Sequence, residues 1–222
     1  MFKYTAVIVE PREHKALEFV LRNFFLNLSD EWGFIIFHGN KNKDFIYNLF
    51  DTSLKEYKNR VYRLIQLNVD NLTGEQYNIL CKSVSFYKCI DTNNLLLFQT
   101  DSIILDKSML DNYLEYDYVG APWINGMVGN GGLSLRRKSK MIEICEKVDP
   151  SYTLHEDNYF CYQNVVPLNK PSYEKAKSFS IETVFNEKSF GIHNAWRYLH
   201  RSQIDFLVNK YPDIATLIEL NK

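Results

Sequence analysis

Cysteine is scarce and unpatterned in this chain. Cys81, Cys89, Cys145 and Cys161 are the only four in 222 residues, and none stands in a CxxC spacing. That spacing argues against a zinc site and for buried, reduced thiols in a reducing compartment. A dominant charge is also missing. The 26 Lys and Arg against 27 Asp and Glu leave a formal net charge of −1, so no global field favours nucleic acid. The longest basic cluster, Arg136-Arg137-Lys138 with Lys140, is too local for a phosphate-backbone track. No run approaches the ~20 apolar residues of a membrane span. The apolar start, Met1–Val9, is too short for a signal sequence and has strand character. A cytoplasmic protein is therefore expected. No repeat, low-complexity stretch or Pro/Gly/Ser linker divides the chain. One domain over 1–222 is expected, long enough to bury its own core.

Aromatic residues are abundant at 15%, with 15 Tyr and 15 Phe. They fill cores, and they also stack on sugars and bases; composition leaves both uses open. Four apolar runs predict strands: Ala6–Val9, Gly33–Phe37, Val61–Leu67 and Asn94–Phe98. None alternates cleanly, so each is expected to be covered on both faces, as in a parallel sheet. Helical patterns lie between them. Leu17, Val20, Leu21, Phe24 and Leu28 form an apolar stripe, Asp44–Phe50 a short helix, and Glu75–Tyr87 a helix before the fourth strand. The alternation predicts right-handed βαβ crossovers and a doubly wound α/β fold.

The second half predicts a helix over Met109–Leu114, a strand over Tyr116–Val119 and a glycine-rich turn at Gly129–Gly132. A short strand over Leu133–Leu135 and a helix carrying Met141, Ile144, Cys145 and Val148 follow, with Pro150 placed to stop it. Gln203–Tyr211 and Asp213–Leu220 read as two helices split by Pro212.

The most informative stretch is Leu95–Ser102, a buried parallel strand ending in Gln99-Thr100-Asp101. Such a strand delivers its terminal carboxylate to the carboxyl edge of the sheet, where α/β folds bind ligands. Asp101 there suits a hard divalent cation bridging phosphates. A helix cap or turn residue is an equal reading on spacing alone.

The ordered motifs FQTDS (Phe98–Ser102), YDYVGAPW (Tyr116–Trp123), GNGGLSLR (Gly129–Arg136), EDNYFC (Glu156–Cys161), FSIE (Phe179–Glu182) and GIH (Gly191–His193) stand out together. With Val9-Glu10-Pro11-Arg12 they resemble a glycosyltransferase-like family of large DNA viruses and bacteria. The resemblance covers about Val7 to Trp196. It implies a GT-A-type, Rossmann-like doubly wound fold with a mixed, mainly parallel sheet flanked by helices. Residues 1–101 would form the nucleotide-binding half, 102–196 the acceptor-side half, and 197–222 C-terminal helices. The implied activity is metal-dependent transfer of a sugar from a nucleoside-diphosphate sugar to a glycan or other hydroxyl acceptor, with inversion. A viral origin would place it in host cytoplasm.

The same resemblance implies roles for particular residues. GT-A enzymes usually carry Asp-x-Asp after the fourth strand; here Gln99-Thr100-Asp101 keeps only the last acid. Asp101 and His193 would then hold Mn²⁺ or Mg²⁺, an imidazole among oxygen ligands favouring Mn²⁺. A hydrogen-bonded structural role is the competing reading of His193. Asp157 would be the base for the acceptor hydroxyl, with Glu156 binding acceptor or orienting a neighbour; capping a helix is the alternative for Asp157. Val9, Glu10 and Arg12 would meet the nucleotide, with Gln99 and Thr100 beside its phosphates. Gly131 and Gly132 would let the backbone approach the donor sugar, or simply make a tight turn. Arg12 would pair with phosphate or open the first helix, and Arg136 and Arg137 are lesser phosphate candidates. Trp123 is an acceptor wall or a core aromatic. Glu182, His14, His38, His155 and His200 receive no role. Two other classes remain: a non-catalytic nucleotide-sugar or glycan binding module, and a sugar nucleotidyltransferase. The second is disfavoured because no glycine follows the first strand. Donor, acceptor and oligomeric state are not written in any motif.

Overall fold

A computed structural model describes residues 2–222. Its centre is set by three apolar strands. β1 (Tyr4–Val9) is buried throughout and pairs in parallel with β2 (Trp32–His38), reached through α1 (Leu17–Asn27). Helix α2 (Lys43–Asp51) and a 3₁₀ turn (Lys55–Arg60) lead to β3 (Val61–Gln66), parallel to β2. Helices α3 (Gly74–Cys81) and α4 (Val84–Lys88) return the chain to β4 (Asn94–Phe98), which lies parallel to β1 on its other side.

Alternate side chains of these strands feed two cores. Ala6, Ile8, Phe34, Ile36, Leu96 and Phe98 pack with α1 and α2, while Val7, Val9, Ile35, Phe37, Leu95 and Leu97 pack with α3 and α4. Both faces are therefore dry, which explains the unbroken apolar runs. Each fully buried aliphatic or Phe side chain contributes about 1.5–3 kcal/mol. Phe24 of α1 stacks on Phe98 with ring centroids 3.8 Å apart, fixing the first crossover to the strand that leads into the Gln99–Asp101 turn.

Beyond β4 the chain leaves this sheet. Ser102–Ile104 forms β5, a 3₁₀ segment covers Lys107–Tyr113, and Tyr118–Val119 forms β6. β7 (Leu133–Arg137) inserts antiparallel between β4 and β6, giving the order β3-β2-β1-β4-β7-β6. Helices α5 (Lys138–Lys147) and α6 (Glu156–Tyr162) cover one face, and α7 (Tyr173–Lys177) follows. β8 (Ser180–Ile181) and β9 (Gly191–His193) join β5 in a second sheet, order β5-β9-β8. Helices α8 (Arg201–Lys210) and α9 (Asp213–Leu220) close the chain, and one apolar cluster runs through both sheets. The mixed, mainly parallel doubly wound sheet is the expected fold.

Four local expectations are corrected. β3 is not covered on both faces: it is the edge strand, with Arg63 and Gln66 exposed. The helix expected over Glu75–Tyr87 is two helices, because Ser83 takes a β conformation and its hydroxyl accepts the amide of Phe86, capping a new start. The helix over Met109–Leu114 is a 3₁₀ segment. The strand over Tyr116–Val119 keeps only its last two residues.

Candidate functional site

β1 and β4 end side by side, and the loops leaving them wall an open cleft of about 520 Å³. Eleven of the residues singled out in the sequence line it: Val9, Glu10, Arg12, Gln99, Thr100, Asp101, Gly131, Gly132, Glu156, Asp157 and His193; Trp123, Arg136 and Arg137 do not. The position is the carboxyl edge of the sheet, where β4 separates the parallel strands from the antiparallel pair.

Strand register assembles its centre. β5 pairs with β9 so that Ser102 faces His193, which brings the ring to the residue before Ser102. His193 Nε2 lies 3.2 Å from Asp101 Oδ1 and 3.2 Å from Gln99 Oε1. On its other edge, Nδ1 lies 3.3 Å from Glu182 Oε1. Burial works against a charged ring, but Asp101 and then Glu182 outweigh it and raise the His193 pKa to about 10. Burial likewise opposes ionisation of Asp101; the imidazolium overrides it and holds the carboxyl below its ordinary value. Glu182, given no role by the sequence, orients the histidine and leaves Nε2 facing Asp101.

A divalent cation fits this corner by taking the place of the proton between His193 Nε2 and Asp101, since a ring nitrogen ligates only when deprotonated. Asp101 Oδ1 is buried without a hydrogen-bond partner, beside a ring nitrogen and an amide oxygen. Among the described residues no three His, Cys, Asp or Glu side chains form a complete metal cage. Asp101 and His193 would thus leave most positions to water and phosphate, as Mg²⁺ and Mn²⁺ commonly accept.

The glycines serve the protein's own side chains. A Cβ on Gly132 would collide with the His193 ring, and one on Gly131 with Glu156 Oε1. The close approach expected toward a donor sugar is, in this structure, made by His193 and Glu156.

Glu156 begins α6, and its carboxylate is held by the fully buried Arg136 at 2.7 and 2.9 Å. Arg136 also donates to Ser134 Oγ and Tyr87 Oη, and its guanidinium stands 5.0 Å over the Tyr118 ring. Arg136 is therefore out of reach of a phosphate, correcting that candidate. Arg137 is also removed, since it bonds Asp117 at 2.7 Å and the Glu115 carbonyl. Arg12 spends two N–H groups on Glu10, each at 2.8 Å, and Asn42 pins their backbone from below. Its charge is already matched.

Asp157 is half-buried beside Glu156, with Oδ1 accepting the Asn158 amide at 2.7 Å. Burial first, and the Glu156 charge second, raise its pKa to about 6. Such a carboxylate can take a proton near neutral pH. Lys82 steadies the loop before it, donating to the carbonyls of Pro150 and Thr153 at 2.7 and 2.8 Å. Trp123 packs edge-on against Tyr162 of α6, 5.6 Å between centroids.

The cleft also contains residues that sequence reasoning missed: Asn71–Gly74 and Tyr77 after β3, His14, and Arg197 and Asn221 from the C-terminal segment. A signal existed for the first group. Thr73-x-x-Gln76 is a capping box, which places the loop before it at the same sheet edge.

A family model described as "Protein of unknown function (DUF5672)" matches residues 62–193, which hold all six motifs from FQTDS to GIH. The chain belongs to that family. No curated protein matches the sequence. Solved structures do match in fold. The glycosyltransferase GlyE of Streptococcus pneumoniae TIGR4 superposes with a TM-score of 0.58 at 11% identity, over 100% of this chain and 63% of that one. TarS residues 1–349 of S. aureus gives 0.51 at 10%, over 99% and 69%. The mannosyltransferase PcManGT of Pyrobaculum calidifontis, in complex with GDP-Man and Mn²⁺, gives 0.50 at 10%, over 71% and 50%. At such identities the likeness establishes the GT-A-type fold. The chain spans under two thirds of GlyE and half of PcManGT. No helix among the described residues is long and apolar enough to cross a membrane.

Proposed function

We propose that this protein is a metal-dependent glycosyltransferase, moving a sugar from a nucleoside-diphosphate sugar to a hydroxyl acceptor with inversion. The observation that carries the reading is the shared cleft. It joins the Asp101–His193 corner to an Asp157 carboxyl of pKa about 6 at the carboxyl edge of a GT-A-type sheet. The GDP-Man and Mn²⁺ bound by PcManGT fit that reading.

Asp101 and His193 would hold the cation, with Gln99 alongside; bound there, it would supply Lewis-acid neutralisation of charge on the leaving diphosphate. Val9, Glu10 and Thr100 line the donor side of the cleft, where Arg12 keeps the Glu10 carboxylate fixed. Asp157 accepts the proton of the acceptor hydroxyl as its oxygen attacks the anomeric carbon from the face opposite the diphosphate. The sugar–phosphate bond breaks in the same displacement, its electron pair leaving on the diphosphate. Glu156, held by Arg136, is a positioning residue for Asp157.

The test is donor turnover followed by NMR with Mn²⁺ and a panel of UDP-, GDP- and dTDP-sugars, with and without simple sugar acceptors. Metal-dependent release of one nucleoside diphosphate supports the reading. Tight nucleotide-sugar binding without release under any condition would replace it with a binding module.

A further inference from the structure

We propose that Arg197 grips the diphosphate of the donor, an assignment that rests on the glycosyltransferase reading. Two arginines line the cleft. Arg12 is matched by Glu10, whereas the exposed Arg197 makes no ion pair and no side-chain hydrogen bond among the described residues. Arg136 and Arg137 are held elsewhere by Glu156 and Asp117.

The backbone delivers Arg197 to the metal corner. Asn194 follows His193 in a left-handed conformation, φ 46°, and its amide donates to the Asp101 carbonyl at 2.9 Å. That residue turns the chain out of β9 into the 3₁₀ turn Ala195–Arg197, where the Arg197 amide returns to the Asn194 carbonyl at 3.2 Å. Ala195 is buried and Trp196 packs on the core, so the turn has a fixed base while the arginine stays free. Asn221, just past α9, donates to the Thr100 carbonyl at 3.0 Å and closes the same side.

Charge balance calls for such a group. A divalent cation on Asp101 leaves one positive charge to meet the two or more negative charges of a diphosphate. A guanidinium supplies the remainder and can fork two N–H groups onto phosphate oxygens. The C-terminal segment, beyond the family match ending at His193, thus completes the donor site.

Calorimetry in Mn²⁺ decides it, comparing UDP, GDP, ADP and dTDP with the unphosphorylated nucleosides on wild type, Arg197→Ala and Arg197→Lys. Arg197→Ala is expected to weaken the preferred diphosphate about tenfold to a hundredfold, with nucleoside binding unchanged and Arg197→Lys intermediate. Equal diphosphate affinity in wild type and Arg197→Ala overturns the assignment. So does an equal loss for the nucleoside, which would mean a distorted cleft. If wild type binds none of the diphosphates, the glycosyltransferase reading fails first and this assignment with it.

Discussion

His193 Nε2 stands 3.2 Å from Asp101 Oδ1 because the β5–β9 register sets Ser102 opposite His193, and Glu182 fixes the ring from its other nitrogen. Glu182→Gln keeps the shape of that support and removes its charge. The expected outcome is a drop of about 10- to 100-fold in Mn²⁺ affinity, read by manganese EPR titration, with the fold intact.

Gly132 lies where any side chain would displace the His193 ring. Gly132→Ala should therefore shift the ring by the order of an ångström and lower transfer by about 100-fold. Circular dichroism should stay native, since the ring can move toward the cleft. Unchanged transfer would show that His193 does not hold the cation.

Asp157 carries two opposing predictions. As a base it must be ionised, so transfer should rise with pH through about 6 and then level. Asp157→Asn should lower transfer by about 10²–10⁴-fold and leave donor binding unchanged. Stability runs the other way. The folded pKa lies above the ordinary aspartate value of 3.8, so the neutral carboxyl favours the native state. That contribution is complete below pH 3.8 and is lost as pH rises through 6. Asp157→Asn should accordingly stabilise the protein at pH 7, by about 1–3 kcal/mol in urea unfolding.

The Arg136–Glu156 pair is buried on both sides. Glu156→Ala would leave Arg136 charged and alone, at a cost of about 3–5 kcal/mol. The urea midpoint should fall sharply at pH 7. A shift under ~1 kcal/mol would contradict the positioning role.

Much of this is legible in the amino-acid sequence. Apolar runs at Ala6–Val9 and Asn94–Phe98 mark strands dry on both faces, and the α1 stripe from Leu17 to Phe24 packs as its spacing requires. Motif order located the cleft because a strand end fixes where Asp101 must stand. What stayed hidden depends on contacts remote in sequence. Arg136 reads as a phosphate candidate until Glu156 and the Tyr118 ring are seen around it. β8 and β9, two and three residues long, are too short for any period. Only their pairing with β5 reveals Glu182 and His193 as neighbours. For β3, Arg63 and Gln66 did carry the edge signal, beneath stronger apolar residues.

The most direct measurement is Mn²⁺-dependent release of nucleoside diphosphate from the preferred donor, by wild type and by Asp101→Ala side by side. Metal-dependent release by wild type, abolished in Asp101→Ala together with metal-dependent nucleotide binding, is the outcome this account predicts. Near-normal turnover by Asp101→Ala would contradict it.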